Sequence, residues 1–178
     1  MTLPTRSFIL MLAFVVCLAG IAAPAAPAFA QKKDYLSESE ADKIRDADTT
    51  SERIKLFISF AADRIKKIQY EFAHPGELHR EERVNSLINA YSGCIDDGSD
   101  LIQLGVDKQE DIRDAIKEMQ GRAPEFLAYL KGLSAKGQAV APYKDNLDDA
   151  IDATNDAIKD AAEALKENAP PPVRRRPQ

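Results

Sequence analysis

Apolar residues recur at alternating spacings of four and three along four separate segments of the chain. The first segment runs from Ser51 to Ala73, and its apolar positions form one seam: Ile54, Ile58, Ala61, Ile65, Ile68 and Phe72. This spacing places the side chains on one face of a straight or gently supercoiled α-helix. Phe57 and Phe60 widen the seam, so this helix has more apolar surface to bury than a two-stranded coiled coil requires.

Three later segments repeat the same rhythm. The second segment is predicted from about Glu77 to Leu104, and its seam consists of Val84, Ile88, Tyr91, Ile95, Gly98 and Ile102. The third seam consists of Ile112, Ile116, Met119, Ala123, Phe126, Leu130 and Leu133, and the fourth of Leu147, Ile151, Thr154, Ile158, Ala161 and Leu165. Four such helices joined by short turns predict an all-α fold, in which residues 49–168 form an up-down-up-down antiparallel four-helix bundle with the first and fourth helices adjacent.

Capping residues predict where the first helices begin and end. Ser37 to Glu40 offers an N-cap followed by acidic residues, which predicts a short extra helix within residues 31–48. Thr49 with Glu52 three residues later is typical of a capping box at the start of the first long helix. The His74-Pro75-Gly76 sequence predicts its end, because proline disfavours a helical residue before it.

Glycine and proline residues predict the later boundaries. Gly105 is expected to end the second long helix, and Asp107 with Glu110 is expected to cap the third. Pro124 lies within the third helix, where it either kinks or breaks the helix. Because the seam continues past Pro124, we favour a kink. Pro142 is expected in the first turn of the fourth long helix.

The first 30 residues have the pattern of a cleavable signal peptide. Arg6 precedes an apolar run from Phe8 to Gly20, and a small-residue stretch ends in Ala28-Phe29-Ala30. The apolar run is shorter than the ~20 residues that span a bilayer. We therefore predict cleavage before Gln31 and an exported protein, periplasmic or extracellular, with no stable membrane span after cleavage.

The charge balance argues against polyanionic partners. Loss of Arg6, the only charged residue in segment 1–30, would change the formal net charge from −5 to −6, so we expect no binding to nucleic acid. Residues 169–178 contain Pro170 to Pro172 and Arg174 to Arg176, and this composition predicts a disordered basic tail.

The long helices differ in charge. The first is rich in lysine and arginine, whereas the fourth carries a ladder of aspartates at a spacing of four: Asp148, Asp152, Asp156 and Asp160. Like charges at this spacing repel each other mildly. Three interpretations of the ladder stay open, namely a solvated face, pairing with the basic first helix, and binding of a divalent cation.

Cys94 is the only cysteine beyond the predicted signal peptide, so no disulfide can form within the mature chain. Leu87, Cys94 and Leu101 are seven residues apart, which places the thiol on the apolar side of its helix. We predict a buried thiol. The alternative is a disulfide between two copies of the chain.

The candidate metal ligands are Glu71, His74 and His79, which surround the first helix end. Di-iron bundles use two Glu-x-x-His motifs and further glutamates that converge in the core, whereas this chain has one such motif beside a turn. The sequence also lacks a haem attachment motif, a phosphate-binding glycine loop and a recognisable nucleophile setting. We therefore expect no cofactor and no enzymatic activity.

These observations predict a non-enzymatic exported helical bundle that serves as an interaction or scaffold module of the cell envelope, with a protein partner that the sequence does not identify. The alternative is a metal- or small-ligand-binding bundle that uses Glu71, His74 and His79 or the aspartate ladder.

Overall fold

The computed structural model describes residues 35–74, 76 and 78–168, and within these ranges the chain is helical, without strands. Its α-helices are α1 (Glu38–Asp46), α2 (Thr50–Ala73), α3 (Arg80–Asp107), α4 (Arg113–Ser134) and α5 (Lys144–Glu167), and a 3₁₀ helix (Gly137–Tyr143) precedes α5. The all-α prediction is confirmed. The predicted signal peptide (1–30) and basic tail (169–178) lie outside the described residues.

The four long helices pack around one apolar core in an order that differs from the expected one. Helix α2 packs against α3 and α4, and α5 packs against the same two helices, so α2 and α5 occupy opposite corners. The prediction that the first and fourth long helices are neighbours is therefore wrong. A seam defines which face of a helix is buried, but it does not define which helix covers that face.

Polar contacts show the direction of the α3–α5 pair. The Nδ2 atom of Asn146 donates to Oδ1 of Asn85 at 2.8 Å, and Ser99 Oγ donates to Asp160 Oδ2 at 3.3 Å. Residue numbers thus rise together along the two helices, which makes α3 and α5 parallel neighbours. Their outward-facing residues therefore lie side by side along much of both helices.

The predicted seams of α2, α3 and α4 are buried, apart from the partly buried Phe72 at the end of α2. The prediction for α5 is partly wrong, since the centre of its buried face consists of small residues: Ala150, Thr154, Ala157, Ala161 and Ala164. Ile151, Ile158 and Leu165 are only partly buried and pack against the rim of the core. Alanine at the centre allows a close approach of neighbouring helices, which a hydropathy pattern does not reveal.

Thr154 is a buried polar residue whose hydroxyl is fully satisfied. Its Oγ1 lies 2.7 Å from the hydroxyl of Tyr91 and donates to the carbonyl oxygen of Ala150 at 2.6 Å. Tyr91 and Thr154 are both fully buried, and burial raises the pKa of the Tyr91 phenol. This hydrogen bond fixes α5 on α3, because an unsatisfied buried hydroxyl would destabilise the core.

The predicted N-cap at Ser37 and the predicted capping box at Thr49 are both confirmed, and Ser37 also forms a capping box with Glu40. Ser37 and Glu40 cap α1, and Thr49 and Glu52 cap α2. Helix α2 also ends as predicted, with His74 as its C-cap.

The expected boundary between the second and third long helices is wrong. Helix α3 continues through Gly105 to Asp107, and the backbone N–H of Glu110 donates to the carbonyl of Gly105 at 2.9 Å. Gln109, at φ 57°, supplies the left-handed residue that ends α3. Gly105 is needed for packing instead, since a Cβ atom there would lie 2.7 Å from Ile112. Asp107 accepts from Gln103 rather than capping α4.

The two remaining boundary predictions concern proline. Pro124 lies inside α4, which continues unbroken on both sides of it, so the helix is not broken at this position. Pro124 is exposed, and it cannot donate the backbone hydrogen bond to Gln120 that another residue would donate at this position. Pro142 belongs to the 3₁₀ helix and not to the first turn of α5, which begins at Lys144.

Candidate functional site

Glu71, the first candidate metal ligand, already has a strong partner. Both of its carboxylate oxygens accept hydrogen bonds of 3.0 Å from Arg83, one from Nε and one from Nη2. This bidentate contact lowers the pKa of the Glu71 carboxyl. The structure thus uses Glu71 to join the end of α2 to the start of α3.

The two histidines have separate partners. His74 Nδ1 lies 2.9 Å from the carbonyl oxygen of Tyr70, and its ring stacks on the Tyr70 ring with the centroids 4.1 Å apart. His79 Nδ1 lies 3.1 Å from Glu82 Oε2. Across residues 35–74, 76 and 78–168, no group of three or more His, Cys, Asp or Glu side chains is placed to hold a metal ion.

An open groove of about 520 Å³ lies beside these residues, between α2 and α3. Lys67, Tyr70 and Leu87 contribute to its walls, together with the Glu71–Arg83 ion pair. Tyr70 is 57% exposed at this position. Small-molecule sites usually enclose most of their ligand, whereas this groove is a shallow surface feature.

A second region lies along the junction of the parallel helices α3 and α5. We call it the acidic face, and it consists of Asp96, Asp100, Asp156 and Asp160. Partial burial raises the pKa of the Asp96 carboxyl, and the neighbouring carboxylates of Asp100 and Asp156 raise it further. Within the part of the chain that the structure describes, none of these four carboxylates forms a salt bridge.

The aspartate ladder of α5 is therefore not paired with the basic helix α2, which lies at the opposite corner of the bundle. Asp148 pairs with Lys144 of its own helix, and Asp160 accepts the hydrogen bond from Ser99. The interpretation as a charge-pairing surface between the first and fourth long helices is wrong for this reason.

A third region is the contact between α2 and the segment 35–46, which we call the strap. Arg64 of α2 donates from Nη1 to Oε1 of Glu40 at 2.5 Å and from Nη2 to Oε2 at 2.7 Å. The Nη2 atom also donates to the carbonyl oxygen of Tyr35 at 3.2 Å. The exposed fractions of the two side chains are only 7% for Arg64 and 13% for Glu40, so this is a largely buried bidentate ion pair.

Glu40 has two roles in this contact. Its Oε2 accepts from the backbone N–H of Ser37 at 2.9 Å, which closes the capping box of α1, and its carboxylate also binds Arg64. The hydrogen bonds from Arg64 are the main reason that the pKa of Glu40 falls to about 2, although burial acts in the opposite direction. Glu40 is therefore ionised throughout the physiological pH range.

Gly93 of α3 forms the other half of the strap site. A Cβ atom at this position would lie 2.8 Å from the ring of Tyr35, so only glycine leaves room for the ring to seat against α3. Leu36, which follows Tyr35, is 8% exposed and joins the apolar core.

Cys94 is fully buried, which confirms the buried-thiol prediction.

Sequence reasoning missed Arg64, which counted only as one of several basic residues on the first long helix. The sequence position of Arg64 could have identified it. Phe57, Phe60 and Arg64 follow each other at spacings of three and four, so Arg64 continues the apolar row that widens the seam. A charged residue at such a position indicates a buried partner, because an unpaired charge is costly there.

Comparison of this chain with family models, with curated proteins and with solved structures finds no match. In the residues that the structure describes, every helix is too short or too polar to cross a lipid bilayer.

Proposed function

We propose that this protein is an exported, non-enzymatic helical bundle that acts as an interaction or scaffold module of the cell envelope, and that its acidic face binds a cationic segment of a protein partner. In this proposal residues 1–30 direct export and are removed before Gln31. The remaining chain is an up-down-up-down bundle with the strap on one side and the acidic face on another.

The observation that carries the proposal is the arrangement of carboxylates on α3 and α5. The carboxylates of Asp96, Asp100 and Asp156 crowd together, and Asp160 lies one helical turn beyond Asp156; none of them forms a salt bridge among the described residues. The pKa of Asp96 is raised first by partial burial and then by the carboxylates of Asp100 and Asp156. Such crowding opposes folding slightly, so it does not serve the stability of the bundle. A cationic partner would relieve the repulsion, and the long-range attraction would accelerate its binding.

Chemical cross-linking in intact cells at native expression tests this function. A variant with Asp→Asn changes at all four positions of the acidic face is compared with the unmodified protein. The matched control neutralises four exposed acidic residues elsewhere, through the substitutions Glu38→Gln, Asp46→Asn, Glu81→Gln and Glu118→Gln. We expect an envelope protein that cross-links to the unmodified and control chains but not to the acidic-face variant. Equal cross-linking by all three chains would contradict the proposal.

The intact mass of the protein recovered from its native host tests export separately. Cleavage before Gln31 predicts a chain that consists of residues 31–178. A mass that includes residues 1–30 in the functional location would contradict the export step, whatever the acidic face binds.

The rival function is a metal-binding bundle that uses Glu71, His74 and His79 or the aspartate ladder. It predicts that added Zn²⁺ or Ni²⁺ raises the melting temperature of the protein, because a ligand bound only by the folded state stabilises that state. The His74→Ala/His79→Ala variant would lose this increase if the histidines are the ligands, and a variant with Asp→Asn changes at Asp148, Asp152, Asp156 and Asp160 would lose it if the ladder binds the metal. A melting temperature that stays constant at a large excess of metal would exclude the rival.

A further inference from the structure

The strap is attached to the bundle through a few residues at one end. Helix α1 has no buried residue of its own, and Leu36 is the only buried core residue that the strap contributes. Its specific contacts are the Tyr35 ring on Gly93, and the Tyr35 carbonyl oxygen and the Glu40 carboxylate on Arg64. Ile44, towards the other end of the strap, adds a partly buried contact with the core. The remaining buried core residues come from α2 to α5, from Ile112 just before α4, and from the 3₁₀ helix, so the core of the bundle closes almost entirely without the strap.

The surface beneath the strap is specific for the groups that it receives. Arg64 presents a buried guanidinium that binds a carboxylate in bidentate geometry, and Gly93 provides a seat for an aromatic ring. Apolar residues at both position 40 and position 64 would hold the strap without the cost of burying charge, whereas an apolar residue at position 64 alone would leave the Glu40 carboxylate without its partner. With arginine there, docking is favourable only for a segment that brings a carboxylate to this point.

The link between strap and bundle is short and can change direction without unwinding α2. Three residues, Ala47 to Thr49, separate α1 from α2, and both Ala47 and Thr49 have extended backbone conformations. The capping box of Thr49 and Glu52 holds the start of α2 independently of the strap. Arg53 of α2 donates from Nη2 to the carbonyl oxygen of Ala47 at 3.0 Å, so this carbonyl stays with the bundle. Rotation about the N–Cα bond of Ala47, before that carbonyl, directs the strap away from its own bundle.

We propose that the strap is exchangeable and that the site formed by Arg64 and Gly93 binds the strap of a second copy of this chain. A second copy is the fitting occupant because it presents Tyr35, Leu36 and Glu40 in the same order and spacing. Exchange of both straps gives a symmetric dimer in which every strap contact of the single chain is reproduced between chains. The protein concentration and the linker then set the balance between the monomer with its own strap bound and the dimer with exchanged straps.

Two complementary full-length variants test the exchange. Glu40→Ala leaves an intact Arg64 site without the carboxylate of its own strap, and Arg64→Met leaves an intact strap without its site. Neither variant can form the ion pair within one chain, but a mixed dimer can form it between chains. Native mass spectrometry of the mixture should show a heterodimer at concentrations at which each variant alone is monomeric, with an affinity at least about tenfold above either self-association.

Two controls connect the heterodimer to this site. Adding Gly93→Ala to the Glu40→Ala chain should abolish the heterodimer, because the new methyl group occupies the seat of Tyr35. In the second control, a chain with Glu38→Ala takes the place of the Glu40→Ala chain. It should form no heterodimer with the Arg64→Met chain, because it keeps its own strap bound to its own Arg64. If Arg64→Met does not fold, as judged by circular dichroism, Arg64→Gln replaces it as the strap donor.

A mixture of folded variants that stays monomeric would overturn the proposal. A heterodimer that survives Gly93→Ala would overturn it as well, since the chains would then associate elsewhere. All of these variants retain the acidic face, so this result and the cross-linking of an envelope partner are independent of each other.

Discussion

The strap site and the acidic face use charge in opposite ways. At the strap site, one arginine and one glutamate are almost completely buried and satisfy each other through two hydrogen bonds. On the acidic face, four carboxylates lie at the junction of two helices without a salt bridge among the described residues, and those of Asp100 and Asp156 raise the pKa of Asp96. The first arrangement fixes one segment of the chain on another, whereas the second leaves charge available to another molecule.

The loss of one charged side chain should change the stability of the fold differently in the two regions. Removal of one partner from a buried ion pair leaves an uncompensated charge and costs several kcal/mol. Removal of a charge from a solvated, like-charged surface costs little and relieves repulsion. Substitutions in the two regions should therefore change stability in opposite directions, and this difference can be measured.

The largest effect is expected for Glu40→Ala. This substitution removes the bidentate partner of Arg64, which keeps only the single contact of its Nη1 with Asp63 Oδ2 at 3.2 Å, and it removes half of the capping box of α1. The free energy of unfolding should therefore fall by about 3 kcal/mol. Urea denaturation followed by circular dichroism measures the change. Glu38→Ala, in the same helical turn but exposed, is the control and should change stability by less than about 0.5 kcal/mol. Equal losses in the two variants would show that the buried ion pair is energetically unimportant.

Acidification should remove the same contribution without a mutation. The pKa of Glu40 is about 2 in the folded chain and 4.5 for the unperturbed group, so the ionised carboxylate stabilises the fold fully above pH 4.5. This stabilisation is lost as the pH falls through 2, where Glu40 becomes protonated in the folded state as well. The measurement is the difference in unfolding free energy between the unmodified protein and Glu40→Gln, followed as a function of pH. A difference that is constant down to pH 2 would contradict the role of Glu40.

A smaller effect is expected at the seat of Tyr35. Gly93→Ala should weaken the strap contact because its Cβ atom would lie 2.8 Å from the Tyr35 ring. The matched control is Gly121→Ala in α4, where a Cβ atom meets nothing within 4 Å and alanine should stabilise the helix by up to about 1 kcal/mol. We expect the melting temperature to fall for Gly93→Ala and to rise for Gly121→Ala. An increase for both would show that the ring leaves its seat at no cost.

The smallest effect is expected on the acidic face. Asp156→Asn removes one of the carboxylates that raise the pKa of Asp96, so this pKa should move towards its ordinary value and stability should rise by about 0.3 kcal/mol. Titration of the Asp96 carboxyl by NMR measures the shift directly. Asp149→Asn is the control, because Asp149 is not among the groups that raise the pKa of Asp96. A shift of the same size in both variants would contradict the grouping of these carboxylates.

Much of the local structure could be predicted from the sequence because it depends on residues close together in the chain. The N-cap at Ser37 and the capping box of Thr49 with Glu52 depend on contacts within four residues, and both predictions are confirmed. The seams of α2, α3 and α4 follow from helical periodicity, and Cys94 is buried as the heptad spacing indicates. The seam of α5 was less predictable, because its alanines contribute to the core through small size rather than through strong hydropathy.

The candidate sites illustrate what the sequence could not provide. Glu71, His74 and His79 are close in the chain, yet each is held by a different neighbour in the fold. Arg64 and Glu40 are 24 residues apart, and no short-range pattern connects them. The same holds for Tyr35 and Gly93, whose relationship depends on the position of one ring against the backbone of another helix.

The sequence by itself determined that the chain forms amphipathic helices, where most of them begin, and which residues of α2 to α4 face the core. Local hydrogen bonds and helical periodicity are sufficient for these features. Only the tertiary structure decided that α5 lies beside α3 rather than α2, that aspartates of these two helices lie close together, and that Arg64 receives Glu40. Those features depend on which helix faces contact each other, and the relative free energy of alternative packings of similar apolar faces is a property of the whole core.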